Sequence, residues 1–336
     1  MERSVWKNPL FLSGFIIIVL FLTTSFIYSF LWGNEVRKLY YISVDNVLVE
    51  SAPISPKWSF PFGTDPLGLD MLGKIIIGAK YTILASLAIG FLRVFIALPF
   101  AFLIGIYLQK YKGIFTGIVD SFHFIPMSIL AYFLLYPILW EPPQGFSTSM
   151  AERFILEGLV LIFLIVPVLS VLLGNEIARV NKEEFISSAK TLGAGRFRII
   201  FKHILPALRE KIVILFGQQI MQTLIIFIHL GLLKLFLGGT EVDYQLVNDP
   251  PQSSTNEWSG LIGDTFRYLQ GAPWVPLTPI LSFALVMFAV ALMMEGYIRA
   301  SAGYSYYGRK FKKKPETSGQ RVKNDVSKAD FVRVES

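Results

Sequence analysis

The run Glu183-Glu184-Phe185-Ile186-Ser187-Ser188-Ala189-Lys190-Thr191-Leu192-Gly193-Ala194-Gly195 begins as a short amphipathic helix and stops on its glycines. Phe197, Ile200, Phe201, Ile204 and Leu205 then recur at helical spacing up to Pro206. Two helices joined by a glycine hinge make a compact knob, because glycine adopts the positive φ that a tight helix-to-helix turn requires. A knob of this kind can fill a groove on a partner. Its setting decides the fold: it lies in a polar segment, 175–211, between two long apolar windows, Phe154 to Gly174 and Ile212 to Leu237.

Four more such windows occur, Pro9 to Trp32, Tyr81 to Leu108, Gly117 to Trp140 and Leu277 to Ile298. About 20 mainly apolar residues cross hydrocarbon roughly 30 Å thick at about 1.5 Å per residue. Of the 336 residues 53% are hydrophobic and 16% charged, against about 25% charged in a soluble domain. Apolar spans must be helices, since an open strand leaves backbone groups unpaired in lipid. No ten-residue alternating pattern suggests a β-barrel. The expected fold is an all-α membrane protein with six transmembrane helices. The absence of cysteine excludes disulfides, thiolate metal sites and cysteine nucleophiles.

Sidedness follows from the basic residues. With six crossings both termini share one side, and that side holds 22 of the 31 Lys and Arg, while the opposite side holds seven. The N and C termini are therefore expected in the cytoplasm, and the net charge of +7 is a topology signal that argues against nucleic acid as a partner. The first window lacks a small-x-small cleavage pattern and reads as a retained anchor, 1–32. It precedes an extracytoplasmic segment, 33–80, a core, 81–299, and a basic tail, 300–336, whose Arg309-Lys310-Phe311-Lys312-Lys313-Lys314 would lie beside anionic lipid. Asp65-Pro66 reads as an N-cap and N1 proline opening an interfacial helix in the outer segment.

Three stretches carry a family resemblance. Glu184 to Gly193, followed by His203-Ile204-Leu205-Pro206, resembles the EAA loop of ATP-binding-cassette importer permeases, and the ending is similar to that of the oligopeptide, dipeptide and nickel branch. Phe60-Pro61-Phe62-Gly63-Thr64-Asp65-Pro66-Leu67-Gly68-Leu69-Asp70 resembles the motif ahead of that branch's second membrane helix. Glu257-Trp258-Ser259-Gly260-Leu261-Ile262, with Trp274, is similar to the stretch before the last helix of its C-type permease. The departures are Ser187 and Ser188 in the first motif and Phe60 and Leu69 in the second.

The resemblance implies a type I importer permease fold and a subunit forming half of a peptide translocation pathway. It implies a second permease subunit as a heterodimer partner, two ATP-binding subunits carrying ATP and Mg, and an extracytoplasmic binding protein. It places the ATPase-coupling loop at Glu184, Ala189, Lys190, Leu192, Gly193, Phe197, Ile204, Leu205 and Pro206, and an extracytoplasmic motif at Gly63, Thr64, Asp65, Gly68 and Asp70. The chain has no Gly-x-x-x-x-Gly-Lys-Ser/Thr loop to cradle nucleotide phosphates, so it is expected to be a transport subunit without its own ATPase; no catalytic residue, cofactor or metal of its own is expected either. Alternatives are a non-transporting or regulatory membrane subunit and a secondary transporter.

Two features inside the windows bear on a pathway. Arg93 lies mid-window, where a lone charge costs at least about 2.5 kcal/mol. Either it lines the path, or it pairs with Asp120, with another subunit, or with lipid headgroups. Gln218, Gln219 and Gln222, a helical turn apart, line a polar path or join helices through hydrogen bonds. Lys190, Arg196, Arg198 and Lys202 face acidic groups on an ATPase or simply mark the inside face. His123 and His229 lack a second ligand at metal spacing.

Overall fold

The computed structural model describes residues 5–45, 47–122, 124–244 and 251–301. The basic tail beyond 301 and His123 lie outside the described residues. Among the described residues the protein is a bundle of long helices, five of which are long and apolar enough to cross a membrane.

Helix α1, Pro9–Trp32, coincides with the first window. The Oδ1 atom of Asn8 accepts the Leu10 amide at 2.9 Å, Pro9 fills the first turn, and Gly33 stops the helix at φ +61°. Helix α2, Met71–Phe102, continues through a π-turn to Tyr107. It starts ten residues before the expected window because Asp70 caps it, accepting the Leu72 amide at 3.1 Å. The outer segment is accordingly shorter than 33–80. It contains no interfacial helix among the described residues. Asp65 is not an N-cap there: its Oδ1 closes a turn by accepting the amides of Leu67 at 2.9 Å and Leu69 at 2.8 Å. The segment holds a small antiparallel hairpin, β1 (Tyr41–Val44) with β2 (Val47–Ser51), in which Tyr41 pairs with Ser51.

The window from Gly117 to Trp140 is not one helix. It divides into the end of α3, Lys112–Phe122, and α4, Met127–Leu139. Pro126 lacks an amide donor and biases the residue before it away from helical geometry, so the chain bends there. The 13 residues of α4 rise only about 20 Å.

Helix α5, Met150–Val180, opens with a capping box in which Ser149 and Glu152 satisfy each other's amides. Helix α6, Glu184–Thr191, and α7, Arg196–Ile199, follow. The expected second knob helix does not end at Pro206. A π-turn over Ile200–Ile204 lets the Leu205 amide reach the Ile200 carbonyl, and the helix runs on as α8, Leu205–Leu232. That wider turn absorbs the proline within a continuous 37-residue apolar helix, Arg196–Leu232. Helix α8 stops at Leu232, short of the expected Leu237, because Lys234 turns the chain at φ +63°. The two-residue strands β3 (Thr240–Glu241) and β4 (Gln252–Ser253) lead into α9, Trp258–Thr265, and the last long helix is α10, Trp274–Ser301.

The core lies where α2, α5, α8, α9 and α10 meet. Trp258 is wholly buried there, donating Nε1 to the Ile75 carbonyl at 2.9 Å and its amide to Thr82 at 3.1 Å. Small residues allow this approach. A Cβ on Gly263 would stand 2.1 Å from the Gly231 carbonyl, so α9 lies directly against the end of α8.

Candidate coupling knob and translocation cleft

At one end of the bundle, α6 packs by a single buried anchor, Ile186, while Ile199 and Ile204 anchor the start of the next helix. Gly193 turns the chain between them at φ +81°, in open space where a Cβ would touch nothing within 4 Å. Leu192 and Phe197 are 88% and 80% exposed, and Phe185 and Phe201 are exposed beside them. Ala189 is half-buried, and its carbonyl receives the Ala194 amide at 3.0 Å. Lys190 bonds Asn181 at 3.0 Å, and Arg196 lies over the Tyr107 ring at 5.5 Å. The knob is therefore one short helix and a glycine turn on the end of a long helix. Leu205 is half-buried and Pro206 exposed in the shaft rather than at a knob boundary.

From the knob end a cleft runs along α5 and α8. Its first part, about 400 Å³, lies between Glu176, Arg179, Lys211 and Gln218, with Lys211 ion-paired to Glu176. The cleft continues as about 410 Å³ bordered by Pro126, Met127, Ile165, Leu169 and the three glutamines. The break between α3 and α4 thus contributes a wall. Gln218 is exposed and Gln222 half-buried, whereas Gln219 is buried.

Arg93 lies behind the glutamines and does not face the cleft. It is fully buried, donating Nε and Nη2 to the Leu161 carbonyl at 3.0 and 2.8 Å and Nη1 to Thr223 Oγ1 at 2.9 Å. Nη1 also approaches Gln219 Oε1 at 3.5 Å. Asp120 is exposed and is not its partner, and complete burial excludes snorkelling. The residue ties α2, α5 and α8 together, consistent with satisfied buried cations.

The opposite end carries the other motifs. Thr64 is fully buried and accepts the Ile54 amide at 2.9 Å. Asp65 Oδ2 meets Lys74 Nζ at 2.6 Å, both side chains being nearly inaccessible. Gly63 at φ +70° and Gly68 at φ +73° sit where a Cβ would strike the Ile54 and Leu39 carbonyls at 2.6 and 2.5 Å. Burial holds the Asp70 carboxyl above its ordinary range. These five residues form a bracket that starts α2.

Sequence reasoning missed a second bracket. Glu257, fully buried, caps α9 by accepting the Ser259 and Gly260 amides at 2.8 and 2.6 Å and receives the Leu237 amide at 3.3 Å. Desolvation pushes its carboxyl up to about 7. Glu157 accepts the neighbouring Gly238 amide at 3.1 Å, and Arg153 Nε donates to the Gly238 carbonyl at 2.7 Å. Two signals pointed toward it: Glu157, an acid inside an apolar window, and the Glu257-Trp258-Ser259-Gly260 stretch, which was read only for its resemblance and not as a cap.

Residues 97–302 match the family described as the binding-protein-dependent transport system inner membrane component. The chain belongs to that family. It is therefore an inner-membrane permease, a transport subunit that works with binding and ATPase components. The permease is 27% identical to the dipeptide transport system permease protein DppC of Alkalihalophilus pseudofirmus over 303 residues, 88% of this chain and 86% of the relative. It is 26% and 28% identical to the glutathione transport system permease protein GsiD of Shigella dysenteriae and of Escherichia coli O1:K1, in each case over 262 residues, 76% of this chain and 74% of the relative. The permease fold thus brings the three glutamines to one cleft and leaves Arg93 out of it.

Proposed function

We propose that this permease forms half of the pathway of an importer for short peptides, coupled to a separate ATPase through the knob around Gly193. The observation that carries the reading is the knob's exposed apolar face, Leu192 and Phe197, at the end of the helix that also bears the glutamine cleft. Water-exposed side chains of this size at a lipid-free helix end mark a protein contact. ATP and Mg belong to the two ATPase subunits, and the second permease completes the path as a heterodimer. Relatives named for dipeptide and glutathione support the substrate class, since both solutes are small and carry peptide amide groups that glutamine side chains can hydrogen-bond. The knob end, with both termini, faces the cytoplasm, and the Gly63–Asp70 bracket faces the binding protein.

ATP-driven closure of the ATPase pair moves the two knobs together. Because α7 is continuous with α8 through the π-turn, that displacement reaches Gln218 and Gln222 directly. The test is Leu192→Asp with Phe197→Asp in the full complex reconstituted into proteoliposomes. Both positions are exposed, so folding survives, and the expected result is loss of ATPase association and of dipeptide uptake. Uptake at the unmodified rate would overturn the reading.

A further inference from the structure

Away from the cleft, α1, α2 and α5 enclose a groove of about 650 Å³ whose lining is almost wholly apolar. Phe26 of α1 and Phe154 of α5 form its sides, and Ala85, Ala88 and Gly158 leave its floor low. At its end remote from the knob stands Lys80. That side chain is 9% exposed, donates to Ser29 Oγ and to Asn34 Oδ1, the latter at 2.9 Å, and lies over the Tyr81 ring at 5.0 Å. No carboxylate among the described residues is within ion-pair distance of it. An ammonium taken out of water with only neutral ligands is incompletely compensated, and an anion at the groove mouth would complete its shell.

The dimensions indicate what carries that anion. From Lys80 to Leu92 the groove follows α2 for twelve residues, about 18 Å, close to the roughly 15 Å depth of hydrocarbon in one leaflet. A cation at the headgroup level above an apolar slot one leaflet deep matches a phospholipid and not a soluble anion. We propose that the groove is a binding site for one anionic phospholipid, an acyl chain lying over Gly158 and the phosphate seated on Lys80. The site holds α1 to the α2–α5 pair, since Ser29 and Asn34, at the end of α1, share the lysine with the lipid.

The experiment uses the full importer complex, reconstituted in nanodiscs of equal phosphatidylglycerol and phosphatidylcholine and then released into mild detergent for native mass spectrometry. Retained phosphatidylglycerol should fall about fivefold in Lys80→Met and be kept in Lys80→Arg. Gly158→Leu supplies a second variant. A Cβ there meets nothing nearer than Ile89 at 3.9 Å, so the added side chain fills the groove without straining the fold, and lipid should be lost with Lys80 intact. Equal retention of the two lipids by the unmodified complex, or retention unchanged in both Lys80→Met and Gly158→Leu, would overturn the proposal. So would efficient disulfide crosslinking of Gly158→Cys to a cysteine on the second permease subunit, which would show a protein helix in the groove.

Discussion

The Leu161 carbonyl on α5 receives two donors from Arg93 on α2, Nε at 3.0 Å and Nη2 at 2.8 Å, so a wholly buried cation is held by a backbone dipole. The planar fork of the guanidinium suits this arrangement, and an ammonium cannot reproduce it.

Arg93→Lys should therefore destabilise more than Arg93→Met. Lysine leaves a buried charge without its second donor, at about 3 kcal/mol, whereas methionine removes the charge and retains volume, at about 1.5 kcal/mol or less. Thermal unfolding of the two variants in one detergent orders them, and the reverse order would rule out the dipole account.

Glu257 makes stability depend on pH. Its folded carboxyl titrates at about 7, above the 4.5 of an ordinary glutamate, so the folded state binds the proton more tightly. The contribution is fully present below about pH 4.5 and is lost as pH rises through about 7, amounting to about 3 kcal/mol. Melting temperature should fall between pH 5 and 8 in the parent and fall less in Glu257→Gln. Parallel profiles would place the titration elsewhere.

Asp65 and Lys74 test the bracket that starts α2. Breaking a buried pair strands one charge, so Asp65→Asn should cost about 3–5 kcal/mol. Combining it with Lys74→Met should recover much of that loss. A double-mutant cycle with no coupling energy would show that the pair contributes nothing.

Three glycines separate packing from backbone strain. Gly263→Ala forces a Cβ onto the Gly231 carbonyl and should cost about 3 kcal/mol or more, while Gly113→Ala on α3 meets open space and should be neutral or stabilising. Gly193→Ala also meets open space but at φ +81°, so it should leave helix packing unchanged and cost about 1 kcal/mol in the knob turn alone. Hydrogen exchange across residues 184–199 reads that local loss, and protection equal to the parent would contradict it.

Much of the architecture was legible from composition. Pro9 to Trp32 and Leu277 to Ile298 read as membrane helices because twenty apolar residues have no other stable state in lipid, and the amphipathic run before Gly193 marked the knob. The window at Gly117 was misread because hydropathy averages over a window and does not register one missing amide at Pro126. Pro206 misled in the opposite direction, since a π-turn five residues wide accommodates a proline that a strict α-helix would reject.

The order of apolar and polar segments along the chain thus determined, without coordinates, that this is a bundle of membrane helices with a glycine-turned knob at one end. That information is local, because burial in lipid and backbone propensity act on consecutive residues. Which polar side chain faces a cleft and which is locked inside depended on the packing of α2, α5 and α8. Gln218 and Arg93 are both polar residues in apolar windows, and only the rotation of each helix about its own axis puts one against open space and the other against the Leu161 carbonyl.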